Sequence, residues 1–231
     1  MSEIDPRSDI REFIQEYGEL KNQKKVSNEI CNEYEEKLPN ALIQFWREYG
    51  IGTWLEGKFQ FCIPSDYADI IDILFEGDPD IHPKRTHIVG FSAFGDLLIW
   101  NEDLQSCEVN LPLSTMKIPK WNYSKLGVKN YFLKAPISGL VFDRWYNYPT
   151  DNKNYTSLFK EALDVIGEIT LGECYGFFPA LALGGAPALK HIKKVDAKVH
   201  FNMLAQMGPL RIRRLNEQEE IEFFRYAGAE Q

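Results

Sequence analysis

Asp66, Asp69, Asp72, Glu76, Asp78 and Asp80 fall within residues 66–80, a stretch that holds no Lys or Arg. Carboxylates crowded this way repel one another, so they need either solvent or a cationic partner. Two readings stand side by side. The acids are a solvated helix face with some placed for capping, or they form a row that docks a basic surface. A second candidate is Gly184-Gly185-Ala-Pro187, a backbone nest that could hold an anion. It lacks the Gly-x-Gly-x-x-Gly spacing of dinucleotide folds and the Lys-Ser/Thr of a P-loop. A turn that needs positive φ explains the two glycines equally well.

Other reactive residue types are present without a reactive pattern. Cys31, Cys62, Cys107 and Cys174 are widely spaced with no C-x-x-C pair, which reads as reduced, buried thiols rather than a metal site or a disulfide set. His82 and His87 are five apart around Pro83, and His191 and His200 are nine apart. Neither pair receives a role. No Gly-x-Ser-x-Gly or His-Glu-x-x-His occurs, so no catalytic residues, metal or cofactor are assigned. Phe45, Trp46, Tyr49, Trp54 and Phe59 read as core aromatics. Trp54, in the Gly50–Gly57 turn, is the one that exposure would make an interface anchor.

The elements that must carry these residues follow from periodicity. Tyr67, Ile70, Ile71 and Leu74 recur at helical spacing, which puts Asp66, Asp69, Asp72 and Glu76 on the opposite face. Ser65 or Asp66 is placed to cap that helix. Residues 7–17 predict a helix stopped by Gly18, residues 19–28 a loop, and Leu38-Pro39 the opening of a second helix stopped by Gly50. Gly50-Ile-Gly52 reads as a turn and 58–63 as a strand. Residues 86–91 and 96–101 predict an antiparallel hairpin, since the gap between them is too short for a crossover. A further strand is expected at 107–111. Residues 112–136 read as strand and loop, 137–146 as a helix, and 158–166 as a helix stopped by Gly167. Residues 188–195 and 196–207 read as a helix pair.

The expected class is therefore α+β: N-terminal helices with a small antiparallel sheet, followed by a mainly helical C-terminal lobe. The expected divisions are 1–112, a connecting segment 113–150, and 151–231. Composition narrows the function classes. The chain has 231 residues and a net charge of −8. Residues 1–110 hold 10 Lys and Arg against 22 Asp and Glu, and residues 111–231 hold 16 against 12. Nucleic-acid binding needs a dense basic surface, and that balance argues against it. No apolar run approaches the ~20 residues needed to span a bilayer, and Met1–Arg7 lacks the features of a signal peptide. A cytoplasmic binding protein is the expectation.

Two stretches resemble known families. Leu38-Pro-x-x-Leu42-x-x-Phe45-Trp46-x-x-Tyr49-Gly50-x-Gly52-x-Trp54-x-x-Gly57-x-Phe59, with Pro64, Tyr67 and Phe94-Gly95-Asp-Leu-x-x-Trp100, resembles the GAD-like domain of bacterial proteins. It is more distantly similar to the opening of SMI/KNR-type immunity domains. Leu158-Phe-Lys-x-Ala-Leu-x-x-x-Gly167, Glu173-x-Tyr175-Gly-Phe-x-Pro179-Ala-Leu-Ala-Leu-Gly184-Gly185 and Val199-His-x-x-x-Leu204-Ala resemble the C-terminal domain of Tdi-type immunity proteins. The resemblance implies an immunity protein of a bacterial type VI secretion or polymorphic toxin system. It implies a toxin partner of nuclease type, often a DNase, and supplies no catalytic residues. Two functions are carried forward. One is a toxin-neutralising module whose partner-binding residues are Asp66, Asp69, Asp72, Glu76, Asp78, Asp80 and Trp54. The other is a small-ligand or nucleotide-binding protein, or an enzyme, that uses Gly184 and Gly185.

Overall fold

The computed structural model describes residues 6–118, 157–215 and 220–228. Its organising element is one nine-stranded sheet. Chain order gives α1 (Pro6–Tyr17), β1 (Lys21–Lys24), α2 (Asn28–Tyr34), α3 (Asn40–Glu48), β2 (Ile51–Trp54) and β3 (Phe59–Phe61). Then come α4 (Ala68–Phe75), β4 (Thr86–Ser92), β5 (Asp96–Asn101), β6 (Gln105–Asn110) and β7 (Thr115–Lys117). After the gap follow α5 (Leu158–Ile166), β8 (Glu173–Phe177), β9 (Ile192–Asp196), α6 (Ala197–Ala205), β10 (Arg211–Leu215) and β11 (Ile221–Tyr226). The spatial order is β1-β2-β3-β4-β5-β6-β7-β10-β11, and β8 pairs with β9 in a separate ribbon. All neighbours in the large sheet are antiparallel except β7 and β10, which are parallel.

The sheet has two faces because its side chains alternate with period two. On one face Phe59, Phe61, Val89, Leu98 and Trp100 pack against α1, α2 and α3. On the other, Ile88, Leu97, Ile99, Val109, Met116 and Ile212 pack against α4 and α6. Strands β4 and β5 are buried along their whole length, because helices cover both of their faces. A third cluster joins Leu158, Phe159 and Ala162 of α5 to Tyr175, Phe177 and Ile192 of the ribbon and to Phe94 at the β4–β5 turn. Gln60 ties the ribbon to the large sheet. Its side chain donates to the Glu173 carbonyl at 2.9 Å and accepts from the Gly172 N–H at 2.7 Å.

The sheet overturns the expected fold class. The C-terminal part is not a mainly helical lobe: it supplies β8, β9, β10 and β11, with α5 and α6 as its helices among the described residues. The expected helix over 188–195 is a short turn at Leu189–His191 followed by β9. The physical reason is the pairing of Ile192–Asp196 with β8 over five residues, which outweighs a weak helical pattern in so short a segment. The sheet is also larger than expected, because β1, β2, β10 and β11 were not anticipated. Residues 19–28 contain β1 and open α2 rather than forming a loop. Gly52 lies within β2, and a Cβ there would sit 2.5 Å from the Lys21 carbonyl oxygen. That glycine marks the close approach of β1 rather than a turn. The helices at 7–17 and 158–166, the acidic helix and the β4–β5 hairpin stand where expected. The helix expected at 137–146 lies outside the described residues, as does most of the segment 113–150.

Candidate partner-binding surface

The acidic segment begins with a 3-10 turn, Pro64–Tyr67, and continues as α4. Tyr67, Ile70, Ile71, Leu74 and Phe75 are buried against the sheet, so the helix is held by its apolar stripe. No side chain caps either the turn or the helix. Capping by Ser65 or Asp66 therefore does not account for any of the acids.

Three of the six carboxylates are engaged within the chain. Asp69 accepts from the Asn202 amide at 2.9 Å and lies 3.8 Å from the Lys198 ammonium, which links α4 to α6. Asp78 has no exposed side-chain surface. It takes both Nη groups of Arg225 at 2.7 and 2.8 Å. It also accepts the backbone N–H groups of Asp80, Ile81 and Gly228. Burial pushes its carboxyl pKa up, but the Arg225 guanidinium and those N–H donors together hold it below the ordinary value. Asp80 shares the same guanidinium at 2.9 Å and remains largely exposed.

Asp66, Asp72 and Glu76 are exposed, and no ion pair or side-chain hydrogen bond engages them among the described residues. Helical spacing places Asp69, Asp72, Ile73 and Glu76 on one outer arc. Ile73, 39% exposed, sits among these carboxylates. An apolar side chain beside unpaired like charges, here Asp72 and Glu76, is suited to a cationic partner surface with an apolar centre.

Trp54 departs from its expected role. It is only 1% exposed, with its ring centroid 5.1 to 6.0 Å from those of Phe13, Phe45, Phe59 and Phe61. It is a core residue and reaches no partner surface. Gly184 and Gly185 follow a 3-10 turn over Leu181–Leu183, and their N–H groups donate to the carbonyls of Leu181 and Ala180. A Cβ on Gly185 would stand 2.1 Å from the Pro179 oxygen. The glycines serve a tight turn, and their amides are already spent on it.

Arg225 is the residue that sequence reasoning missed. It follows Phe223-Phe224 and lies 145 residues or more from its carboxylate partners, so no local pattern marks it. The four cysteines are buried and unpaired, and burial raises the thiol pKa of each, to about 12 for Cys107. Such thiols are inert at neutral pH. Among the described residues no group of three His, Cys, Asp or Glu side chains could hold a metal ion, and no helix is long and apolar enough to cross a membrane.

Residues 8–113 match the family model of the GAD-like domain. Residues 141–208 match that of the T6SS immunity protein Tdi1, C-terminal. No curated protein matches. A solved structure with the same fold is the crystal structure of Atu4351 from Agrobacterium tumefaciens, 27% identical, with a TM-score of 0.78 over 94% of this chain and 97% of that one. Two family models thus match the chain in succession, the GAD-like domain over residues 8–113 and the T6SS immunity protein Tdi1, C-terminal, over residues 141–208.

Proposed function

We propose that this chain is an immunity protein that binds a cognate type VI secretion toxin in the cytoplasm and silences it by covering its working surface. The toxin is a nuclease in this reading, and the immunity protein performs no chemistry of its own. The Tdi1-type domain at 141–208 supports the role. The observation that carries the contact surface is the pair of carboxylates without an ion pair among the described residues, Asp72 and Glu76, beside exposed Ile73, with Asp66 exposed at the start of the same segment. A nuclease must present cations to phosphate, and such a surface complements this arc. Complementary fields of this kind mainly accelerate encounter.

The test is growth rescue followed by kinetics. The open reading frame beside this one is expressed in a susceptible bacterium with and without this protein, and DNA integrity is followed. Protection by co-expression and intact DNA are expected. A toxic neighbour that this protein leaves unaffected would sink the pairing. In the purified complex, the triple variant Asp66→Lys/Asp72→Lys/Glu76→Lys should associate roughly tenfold more slowly at low salt and lose most of its salt dependence. An unchanged association rate would move the contact away from α4. The ligand-binding alternative loses its nest, because the Gly184 and Gly185 amides are already bonded.

A further inference from the structure

The two edges of the large sheet are built differently. At one end β1 is four exposed polar residues, Lys21-Asn-Gln-Lys24. It is short and Lys-bearing, the way sheet edges are protected against pairing with other chains. At the other end β11 is six residues, Ile-Glu-Phe-Phe-Arg-Tyr, with Ile221, Phe223 and Tyr226 exposed by 48%, 56% and 55%. A long edge with exposed aromatic residues is a pairing hazard unless something uses it.

This edge is also firmly mounted. Arg225 is clamped by Asp78 and Asp80, and the Gly228 N–H donates to Asp78. The Ala227 N–H donates to the Leu210 carbonyl at 2.9 Å. The strand register then fixes what it displays. Arg213 lies opposite both Lys117 and Phe223, and Arg211 opposite both Thr115 and Tyr226. Ile212 and Met116 between them point into the core, so Lys117, Arg211 and Arg213 share the outer face with the aromatics. A bulge at Phe224, between the pairs Ile212–Arg225 and Arg213–Phe223, brings Phe223 and Tyr226 onto one side. Their ring centroids are 5.2 Å apart. This is the sheet face that α1, α2 and α3 cover at the other end of the sheet. Arg213 and Lys117 make no ion pair among the described residues.

We infer that this edge receives an extended, acidic segment of the toxin, which adds its backbone beside β11, rests its apolar side chains on Phe223 and Tyr226, and sets carboxylates against Arg211 and Arg213. The occupant follows from charge. A second copy of this chain paired edge to edge would supply no carboxylates to Arg211, Arg213 and Lys117 from its own Phe223 and Tyr226 face. A nucleic acid would meet three cations on a chain of net charge −8. An acidic strand satisfies both the open backbone edge and the cations, in the manner of strand addition. The inference rests on the immunity reading and adds to it a contact remote from α4 in sequence and opposite in sign.

Hydrogen–deuterium exchange of the whole protein, alone and with the toxin encoded beside it, tests this. Protection at 221–226 on complex formation is expected. The exposed-site variants Phe223→Ser/Tyr226→Ser and Arg211→Glu/Arg213→Glu should each weaken the complex by about tenfold or more. A complex that forms without protecting β11, and that both variants join with wild-type affinity, overturns this inference and leaves the immunity reading intact. Failure of the wild-type protein to bind the toxin overturns both. Sedimentation of the free protein and titration with oligothymidylate separate the other occupants. A dimer that the Phe223→Ser/Tyr226→Ser variant abolishes, or oligothymidylate binding that Arg211→Glu/Arg213→Glu abolishes, overturns the assignment to an acidic protein segment.

Discussion

Trp54 and Asp78 illustrate how little of a residue's role its type decides. Trp54 lies at the centre of an aromatic cluster, yet its indole N–H has no hydrogen-bond partner. Its contribution is packing alone, offset by an unsatisfied donor. Trp54→Phe keeps most ring contacts and removes the orphan N–H, so the variant should stay within about 1.5 kcal/mol of wild type. Trp54→Ala should cost roughly 3–5 kcal/mol by leaving a cavity. Urea denaturation of both variants checks the pair, and a Phe variant as damaged as the Ala variant would contradict it. Sequence placed Trp54 in a turn because Gly50 and Gly57 flank it. The close approach of β1 that actually requires Gly52 is a contact 31 residues away in the chain, beyond the reach of any local pattern.

At the scale of elements, β11 joins the body through two sets of contacts. It holds on one side by its ladder with β10 and at its end by the Asp78–Arg225 clamp. Removing one member of a buried ion pair leaves the other charge uncompensated. Asp78→Ala would leave Arg225, whose Nε already lacks a partner, with Asp80 as its remaining carboxylate, and would free the N–H groups of Asp80, Ile81 and Gly228. A loss of about 3–5 kcal/mol is expected. The loss should be local, with the amides of 221–228 exchanging before those of β4 and β5. Uniform loss of protection across the sheet would show that the clamp supports the whole fold instead. The strongly periodic elements were legible in the sequence: α1, α4, α5 and the β4–β5 hairpin each carry their own apolar pattern. The strands β10 and β11 were not. In β10, Ile212 is buried between exposed Arg211 and Arg213, and the strand identity depends on β7, almost a hundred residues earlier. The acidic row was legible as a row, while its division into engaged and unpaired carboxylates depended on α6 and β11.

For the molecule as a whole, buried histidines set the response to acid. His200 is buried beside Phe178 and Phe201, and burial pulls its pKa down to about 4. His87 is also lowered, since burial outweighs the pull of Glu102 at 3.0 Å. In the unfolded chain both titrate near pH 6.5. Between about pH 6.5 and 4 the unfolded state therefore holds more protons than the folded one, and stability falls as pH falls through that window. For His200 the full effect, reached below about pH 4, is on the order of 3 kcal/mol. The depressed carboxyls of Asp78 and Glu173 act in the same direction at lower pH, because their stabilisation is lost as they take up protons in the folded state. The melting temperature should hold nearly level above pH 7 and decline from about pH 6.5 downward. His200→Gln, neutral throughout, should flatten the upper part of that decline while leaving the carboxyl-driven part below pH 4. A variant profile that tracks wild type between pH 6.5 and 4 would place the acid sensitivity outside His200, in His87 or the carboxylates.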